Sequence, residues 1–295
     1  MLTFEPITAD NILKSAEYFK YKVSRTSDYT IGAMYMWRDF YQTEFTIYDD
    51  MILYKVKFLD RISFTFPVGG GSLTKAMDAL KEYCSVNNLP LWFCTVPVEV
   101  TSILVDQFGG TIPCKPSRDW ADYLYLAEDL ANMTGRKYSG QRNHINKFKK
   151  LYPDYKYQRI TSDNLPRIEE FLRDYQLNHG KDASLAQEEL NRTLELLQYL
   201  KEFNLPGAFI EVDGNIVALT IGEIVNDTLH CHIEKAVRDY PGSYQMIVKE
   251  FASDMLQSGV QYINREEDVG DEGLRTSKLS YHPVQLLDKY CILLP

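Results

Sequence analysis

Gly273-Leu274-Arg275-Thr276-Ser277-Lys278-Leu279-Ser280-Tyr281-His282-Pro283 is followed seven residues further on by Tyr290. Its polar residues read as a short helix. Arg275 and Lys278 are three apart and share one helical face. Pro283 stops the helix, and the apolar run 290–294 reads as a final strand. Just upstream lies an acidic loop, Glu266-Glu267-Asp268-Val269-Gly270-Asp271-Glu272. Two cations beside a carboxylate-rich loop at a strand end point to a binding site. The same cations would also serve by pairing with Glu266, Asp268, Asp271 or Glu272 to hold the loop.

Working back from this stretch, Tyr262-Ile263-Asn264-Arg265 reads as a strand, and Gly242 opens a helix over 243–257. Segments 207–212 and 216–223 flank Asp213-Gly214, a strong hairpin signal, and 228–235 supplies a third strand. Asn164-Leu165-Pro166 starts a helix with proline in the first turn, where a missing N–H is harmless. A second helix carries Leu190, Leu194 and Leu197 on one stripe. The order is helix, helix, three strands, helix, strand, helix, strand. The first half repeats it less cleanly. A hairpin spans 51–57 and 61–66, Gly69-Gly70-Gly71-Ser72 opens a helix over 73–87, and 91–94 is a strand. A helix over 98–108 and a last strand at 123–126 follow. Gly71 precedes Trp92 by 21 residues, the spacing from Gly242 to Ile263. The repeat is one of architecture, since the halves share no obvious identity. The expected fold is α/β (α+β) with two mixed sheets flanked by helices, in domains 1–132 and 133–295.

With 295 residues the chain has room for one large domain or two smaller ones, and 45% hydrophobic residues support ordinary cores. No apolar run approaches the roughly 18–20 residues that span a bilayer, and no basic-then-apolar leader is visible. Cys84, Cys94, Cys114, Cys231 and Cys291 are scattered, with no C-x-x-C pair, which fits a reduced, cytoplasmic chain and argues against a zinc ribbon. The net charge of −9 disfavours wholesale nucleic-acid coating. Between Arg136 and Arg159, however, eight cations face one acid, Asp154. Within this run Arg142, Asn146, Lys147, Lys149 and Lys150 form a candidate phosphate-docking face, or else a solvated helix face.

Three further patterns bear on chemistry. His230, His232 and Glu234 share a strand face, but no fourth ligand is evident, and no metal is expected. Gly69–Ser72 before a helix is a candidate phosphate cradle. Arg238-Asp239-Tyr240-Pro241-Gly242-Ser243 occupies the corresponding turn of the second half, where Pro241 removes an amide donor.

The element order is that of a GNAT-type N-acyltransferase domain. L-R-x-x-K-x-x-Y-x-P at 274–283, Arg142-Asn143-His144-Ile145-Asn146-Lys147 and Gly242-Ser243-Tyr244 resemble the phosphatidylglycerol lysyltransferase C-terminal domain family, mainly over 135–295. These are tandem GNAT-like aminoacyl or acyl transferases related to the Fem-type transferases. The resemblance implies a cleft between face-to-face halves. It also implies transfer of an aminoacyl group from aminoacyl-tRNA to an amine or hydroxyl acceptor, such as a small molecule or a lipid head group. No covalently bound cofactor is implied. By element order Glu234 takes the place of the GNAT base and Tyr281 that of the acid, with Asn264 placed to align a carbonyl. Arg275, Lys278, Asp268 and Tyr244 are the implied substrate-binding residues, and Arg142, Asn146, Lys147, Lys149 and Lys150 the tRNA-binding ones. The Arg238–Ser243 turn departs from the R-x-x-G-x-G/A loop that grips coenzyme A, which counts against that donor. A coenzyme A-dependent N-acyltransferase and a non-catalytic binding protein of the same fold are the alternatives.

Overall fold

Tight hairpins build the first sheet in this computed structural model, which describes residues 1–179 and 183–295. A short strand β1 (Glu5–Pro6) and three short helices, α1 (Ala9–Ile12), α2 (Ala16–Phe19) and α3 (Ile31–Trp37), lead into β2 (Glu44–Tyr48), β3 (Met51–Phe58) and β4 (Arg61–Phe64). The three strands form an antiparallel meander. Its turns, Asp49-Asp50 and Leu59-Asp60, hold both residues at positive φ, the geometry whose twist matches flanking strands. β5 (Val68–Gly69) pairs with β3, and α4 (Leu73–Val86) follows, with the Ser72 hydroxyl accepting from the Lys75 amide. β6 (Trp92–Pro97) runs parallel to β4, and α5 (Val98–Ser102) and β7 (Asp122–Leu126) come next. Leu53, Phe64, Met77, Leu80 and Phe93 meet in the core of this part.

The second sheet follows the same plan. After α6 (Ala127–Asn132), α7 (Ser139–Leu151), β8 (Lys156–Arg159), α8 (Leu165–His179) and α9 (Ala183–Leu197) come the antiparallel strands β9 (Gly207–Val212), β10 (Asn215–Val225) and β11 (Thr228–Ala236). Helix α10 (Ser243–Leu256) crosses back to β12 (Tyr262–Asn264), which is parallel to β11. The chain ends with α11 (Glu272–Leu279), β13 (Gln285–Leu287) and β14 (Lys289–Leu293). Met246, Ile247, Phe251 and Met255 of α10 recur at helical spacing and are buried, with α10 packed on β9, β10 and α6.

The sheet orders are β1-β2-β3-β4-β6-β14, with β5 on β3, and β13-β7-β12-β11-β10-β9-β8. Each sequence half therefore supplies its last strand to the other half's sheet. β14 lies antiparallel to β6, and β7 lies antiparallel to β12. The compact units follow the sheets. The first is Met1–Tyr123, Glu266–Arg275 and Leu286–Pro295, and the second is Leu124–Arg265 and Thr276–Gln285. A cut at 132/133 separates β7 and α6 from the strand and helix they pack on, because strand pairing is decided between distant segments rather than at a linker. No described helix is long and apolar enough to cross a membrane.

Candidate functional site

In the second unit, β11 and β12 pair only from Thr228↔Tyr262 to His230↔Asn264. Beyond that point β11 continues to Ala236, whereas the other chain leaves its strand at Arg265. The Arg265 side chain spans the opening between them. Its Nε donates to Glu234 Oε2 at 2.8 Å and its Nη2 to the Tyr244 hydroxyl at 2.7 Å, while that hydroxyl donates to Glu234 Oε2 at 3.2 Å. The guanidinium lies 4.6 Å from the Tyr281 ring centre, 5.4 Å from that of Tyr244 and 5.7 Å from that of Tyr125. Asn264, fully buried, sits at the last paired position.

Arg265 is 2% exposed and Tyr281 1%. A buried guanidinium needs a counter-charge and filled donors, since removing it from water costs several kcal/mol, about what a well-placed carboxylate returns. Glu234 is that carboxylate. Burial opposes the charge on Arg265, but Glu234 and the surrounding phenols outweigh it and hold its pKa well above the ordinary value. Burial raises the Tyr244 and Tyr281 phenols, so both keep their protons at neutral pH. Within this cluster, Arg265 Nη1 and the Tyr281 hydroxyl are buried without a hydrogen-bond partner among the described residues.

The motif at 274–283 holds this cluster from behind. Lys278 Nζ donates to the Arg265 carbonyl at 2.6 Å, and the Tyr125 hydroxyl donates to the Lys278 carbonyl at 2.8 Å. The Tyr138 hydroxyl donates to the Tyr281 carbonyl, and Gln141 Nε2 to the carbonyl and hydroxyl oxygens of Ser280. Glu234, Tyr244, Lys278 and Tyr281 surround Arg265, and Asn264 precedes it at the end of β12, with Lys278 acting on backbone rather than facing solvent.

Arg275 and Asp268 belong to the first unit. Arg275 grips Asp268 with both Nε (3.0 Å) and Nη2 (2.7 Å), and Nη2 also reaches Asp119 at 2.6 Å. Asp268 is fully buried and also accepts from Tyr123, Arg118 and the Gly270 amide. Burial pushes its carboxyl up, yet the bonds from Arg275, Tyr123 and Gly270 hold it well below the usual carboxylate range. The Arg275 fork is therefore occupied by the acidic loop, the second of the two readings its position allowed.

A second charged cluster in this unit surrounds Lys289, whose Nζ lies 2.8 Å from Asp122, 3.0 Å from Asp28 and 3.7 Å from Glu267. Three carboxylates share one buried ammonium. Burial, which Lys289 counters only in part, and the neighbouring acids push the Glu267 carboxyl up to about 8. Lys289 and Asp28 carried no local signal in the sequence.

Helix α7 turns Ile145 and Phe148 inward and leaves Asn146, Lys147, Lys149 and Lys150 exposed. Arg142 is apart from these, because its Nη1 donates to the Met133 and Gly135 carbonyls at 2.6 Å each and closes the end of α6. The same helix covers the N-terminus of α10. Gly242 has φ +93°, and a Cβ there would lie 2.4 Å from the His144 carbonyl oxygen. The glycine turn of the first unit is likewise filled. A Cβ on Gly71 would lie 1.6 Å from the Asp49 carbonyl oxygen, and the Asp49 carboxylate accepts from the Ser72 amide and from Lys75. This side chain stands where the phosphate was expected. On β11, His232 faces Glu223 at 3.4 Å. Among the described residues no three His, Cys, Asp or Glu side chains are spaced to hold a metal ion.

Arg265 is the residue that sequence reasoning missed. A cation ending a short strand looks like an ordinary solvent-facing terminator, and only its place opposite Glu234 shows otherwise.

The family model of the phosphatidylglycerol lysyltransferase C-terminal domain matches residues 19–293. A crystal structure of a conserved protein of unknown function from Bacteroides thetaiotaomicron is 32% identical, with all of both chains covered and a TM-score of 0.91. L-PGS from Bacillus licheniformis has a TM-score of 0.70 at 14% identity, over 100% of this chain and 94% of that one. FemX has a TM-score of 0.61 at 10% identity, over 99% and 97%. An uncharacterized protein of Mycoplasmoides gallisepticum is 24% identical over 172 residues, 58% of this chain, and the match spans 55% of that curated relative's length. The fold is the tandem GNAT-like one, with two mixed sheets flanked by helices. From residue 19 to 293 this chain belongs to the phosphatidylglycerol lysyltransferase C-terminal family, a family of aminoacyl transferases.

Proposed function

We propose that the chain transfers an aminoacyl group from aminoacyl-tRNA to an amine or hydroxyl acceptor, with the reaction centred on Glu234, Asn264 and Tyr281. The observation that carries this reading is the buried Arg265–Glu234–Tyr244 cluster beside Tyr281, at the parting of two parallel strands. An aminoacyl ester is already activated. Holding it beside an acceptor and stabilising charge on its carbonyl oxygen supply most of what the reaction needs. The acceptor nitrogen or oxygen forms a bond to the ester carbon, the bond to the ribose oxygen breaks, and the acceptor's proton goes to that oxygen. Tyr244 and Lys278 keep the centre in place. Asn146, Lys147, Lys149 and Lys150 form an exposed basic surface suited to the RNA backbone. Against a coenzyme A donor stands the α10 N-terminus, where Pro241 lacks an amide and α7 packs directly on Gly242.

The test is a panel of tRNAs, each charged with one labelled amino acid, incubated with mixed amine and hydroxyl acceptors. The expected result is protein-dependent loss of label from one or a few tRNAs and a new labelled conjugate by mass spectrometry. No loss from any charged tRNA, with turnover of an acyl-coenzyme A instead, would contradict the reading.

A further inference from the structure

The guanidinium of Arg265 has five N–H donors in a fixed plane. Nε and Nη2 are engaged by Glu234 and Tyr244, so the fork cannot swing, and Nη1 is left buried without a partner. The Tyr281 hydroxyl, on the ring 4.6 Å from that guanidinium, is likewise buried and without a partner. Buried donors are nearly always satisfied in native proteins, so two orphans in one cluster call for an acceptor. They also meet the chemical need of a carbonyl addition. A cation locked by its counter-ion and a phenol that keeps its proton can both donate to an oxygen that gains negative charge, with no reorganisation.

We propose that Arg265 Nη1 and the Tyr281 hydroxyl together receive one oxygen of the acyl donor, the ester carbonyl oxygen that becomes the oxyanion. This rests on the aminoacyl-transfer reading and deepens it. As the acceptor adds, the carbonyl π pair moves onto the oxygen held by the two donors. When the ribose oxygen leaves, the pair returns to remake the carbonyl. No proton is lost from Arg265 or Tyr281, and no oxidant or reductant is needed. Arg265 becomes a catalytic residue, and Glu234 and Tyr244 become its positioning residues.

The experiment compares two adenosine derivatives of the charged tRNA terminus, a planar 3′-aminoacylamide and a tetrahedral 3′-phosphonate, by calorimetry on wild type, Arg265→Lys and Tyr281→Phe. Wild type should prefer the phosphonate by about 100-fold, and each variant should lose most of that preference while amide affinity changes by less than about threefold. A preference retained in both variants overturns the proposal. A crystal soaked in acetate provides a readout independent of the donor. An acetate oxygen within hydrogen-bond distance of both Nη1 and the Tyr281 hydroxyl supports the pair. An ordered water that stays there, or acetate only on surface residues, overturns it. If neither adenosine derivative binds wild type, the aminoacyl-transfer reading fails, and the acetate result alone decides the proposal.

Discussion

Arg265, one residue past the end of β12, and Glu234, on the part of β11 that extends beyond its pairing with β12, are joined by a 2.8 Å charged hydrogen bond. Nothing in local sequence links the two residues, yet the cluster depends on that bond. A side chain inserted between parted strands replaces the lost backbone pairing with a charge pair, and it fixes the direction of every remaining guanidinium donor.

Glu234→Ala should be severely destabilising, because it leaves a buried guanidinium without its counter-ion. The expected loss is about 3–5 kcal/mol. A companion Glu234→Ala/Arg265→Met chain should recover much of it, because apolar side chains of similar volume need no desolvation. Denaturant midpoints of the two chains check this. Equal midpoints would mean that the unpaired guanidinium carries no burial cost.

Tyr281→Phe should separate stability from activity. The hydroxyl has no partner in the free protein, so removing it should leave the melting temperature unchanged or slightly raised. Removing one oxyanion donor should lower kcat by about 100-fold. A large fall in melting temperature would assign the hydroxyl to the scaffold instead.

Arg275→Ala should lower the melting temperature without weakening donor binding, since the Arg275 fork is filled by Asp268 and Asp119. The pH dependence carries a sign. The Asp268 carboxyl is held below its ordinary value, so its contribution is present above pH ~4 and is lost as pH falls through the lower folded-state value. The variant should lose part of that acid-side dependence. Unchanged melting at pH 7, with lost donor affinity, would return Arg275 to the binding site.

Glu267 works the other way. Its folded-state pKa is about 8, above the ordinary 4.5, so the native chain holds its proton more tightly than the unfolded chain does. Its contribution is full below about pH 4.5 and is lost as pH rises toward 8. Glu267→Gln should flatten the fall in melting temperature over that window. The same slope in the variant would assign the titration to another group.

Lys147→Ala/Lys149→Ala/Lys150→Ala should weaken tRNA binding and reduce the slope of log affinity against log salt by about 2–3. An unchanged slope would remove α7 from the RNA-binding surface.

The parts legible in the sequence are those set by local rules. Glycines before α4 and α10, the Asp213-Gly214 turn and the periodic apolar residues place most elements and their order. Helices α1 to α3 span only four, four and seven residues, too short to show a helical period in the sequence. The exchange of β7 and β14 was not legible either, because two short apolar strands look alike and their partners lie far along the chain. The same limit applies to single residues. Arg275 and Lys278 share a helical face as their spacing requires, but one grips a carboxylate and the other a carbonyl. The Gly69–Ser72 turn has the composition of a phosphate cradle, and the hairpin residue Asp49 fills it.

The most direct test of the account is a single-turnover comparison of donors. Wild-type protein is mixed with one labelled aminoacyl-tRNA and, separately, with the same aminoacyl group on coenzyme A, and label arriving on the acceptor is counted. The account predicts transfer from the tRNA and none above background from the thioester. Transfer from coenzyme A alone would contradict it.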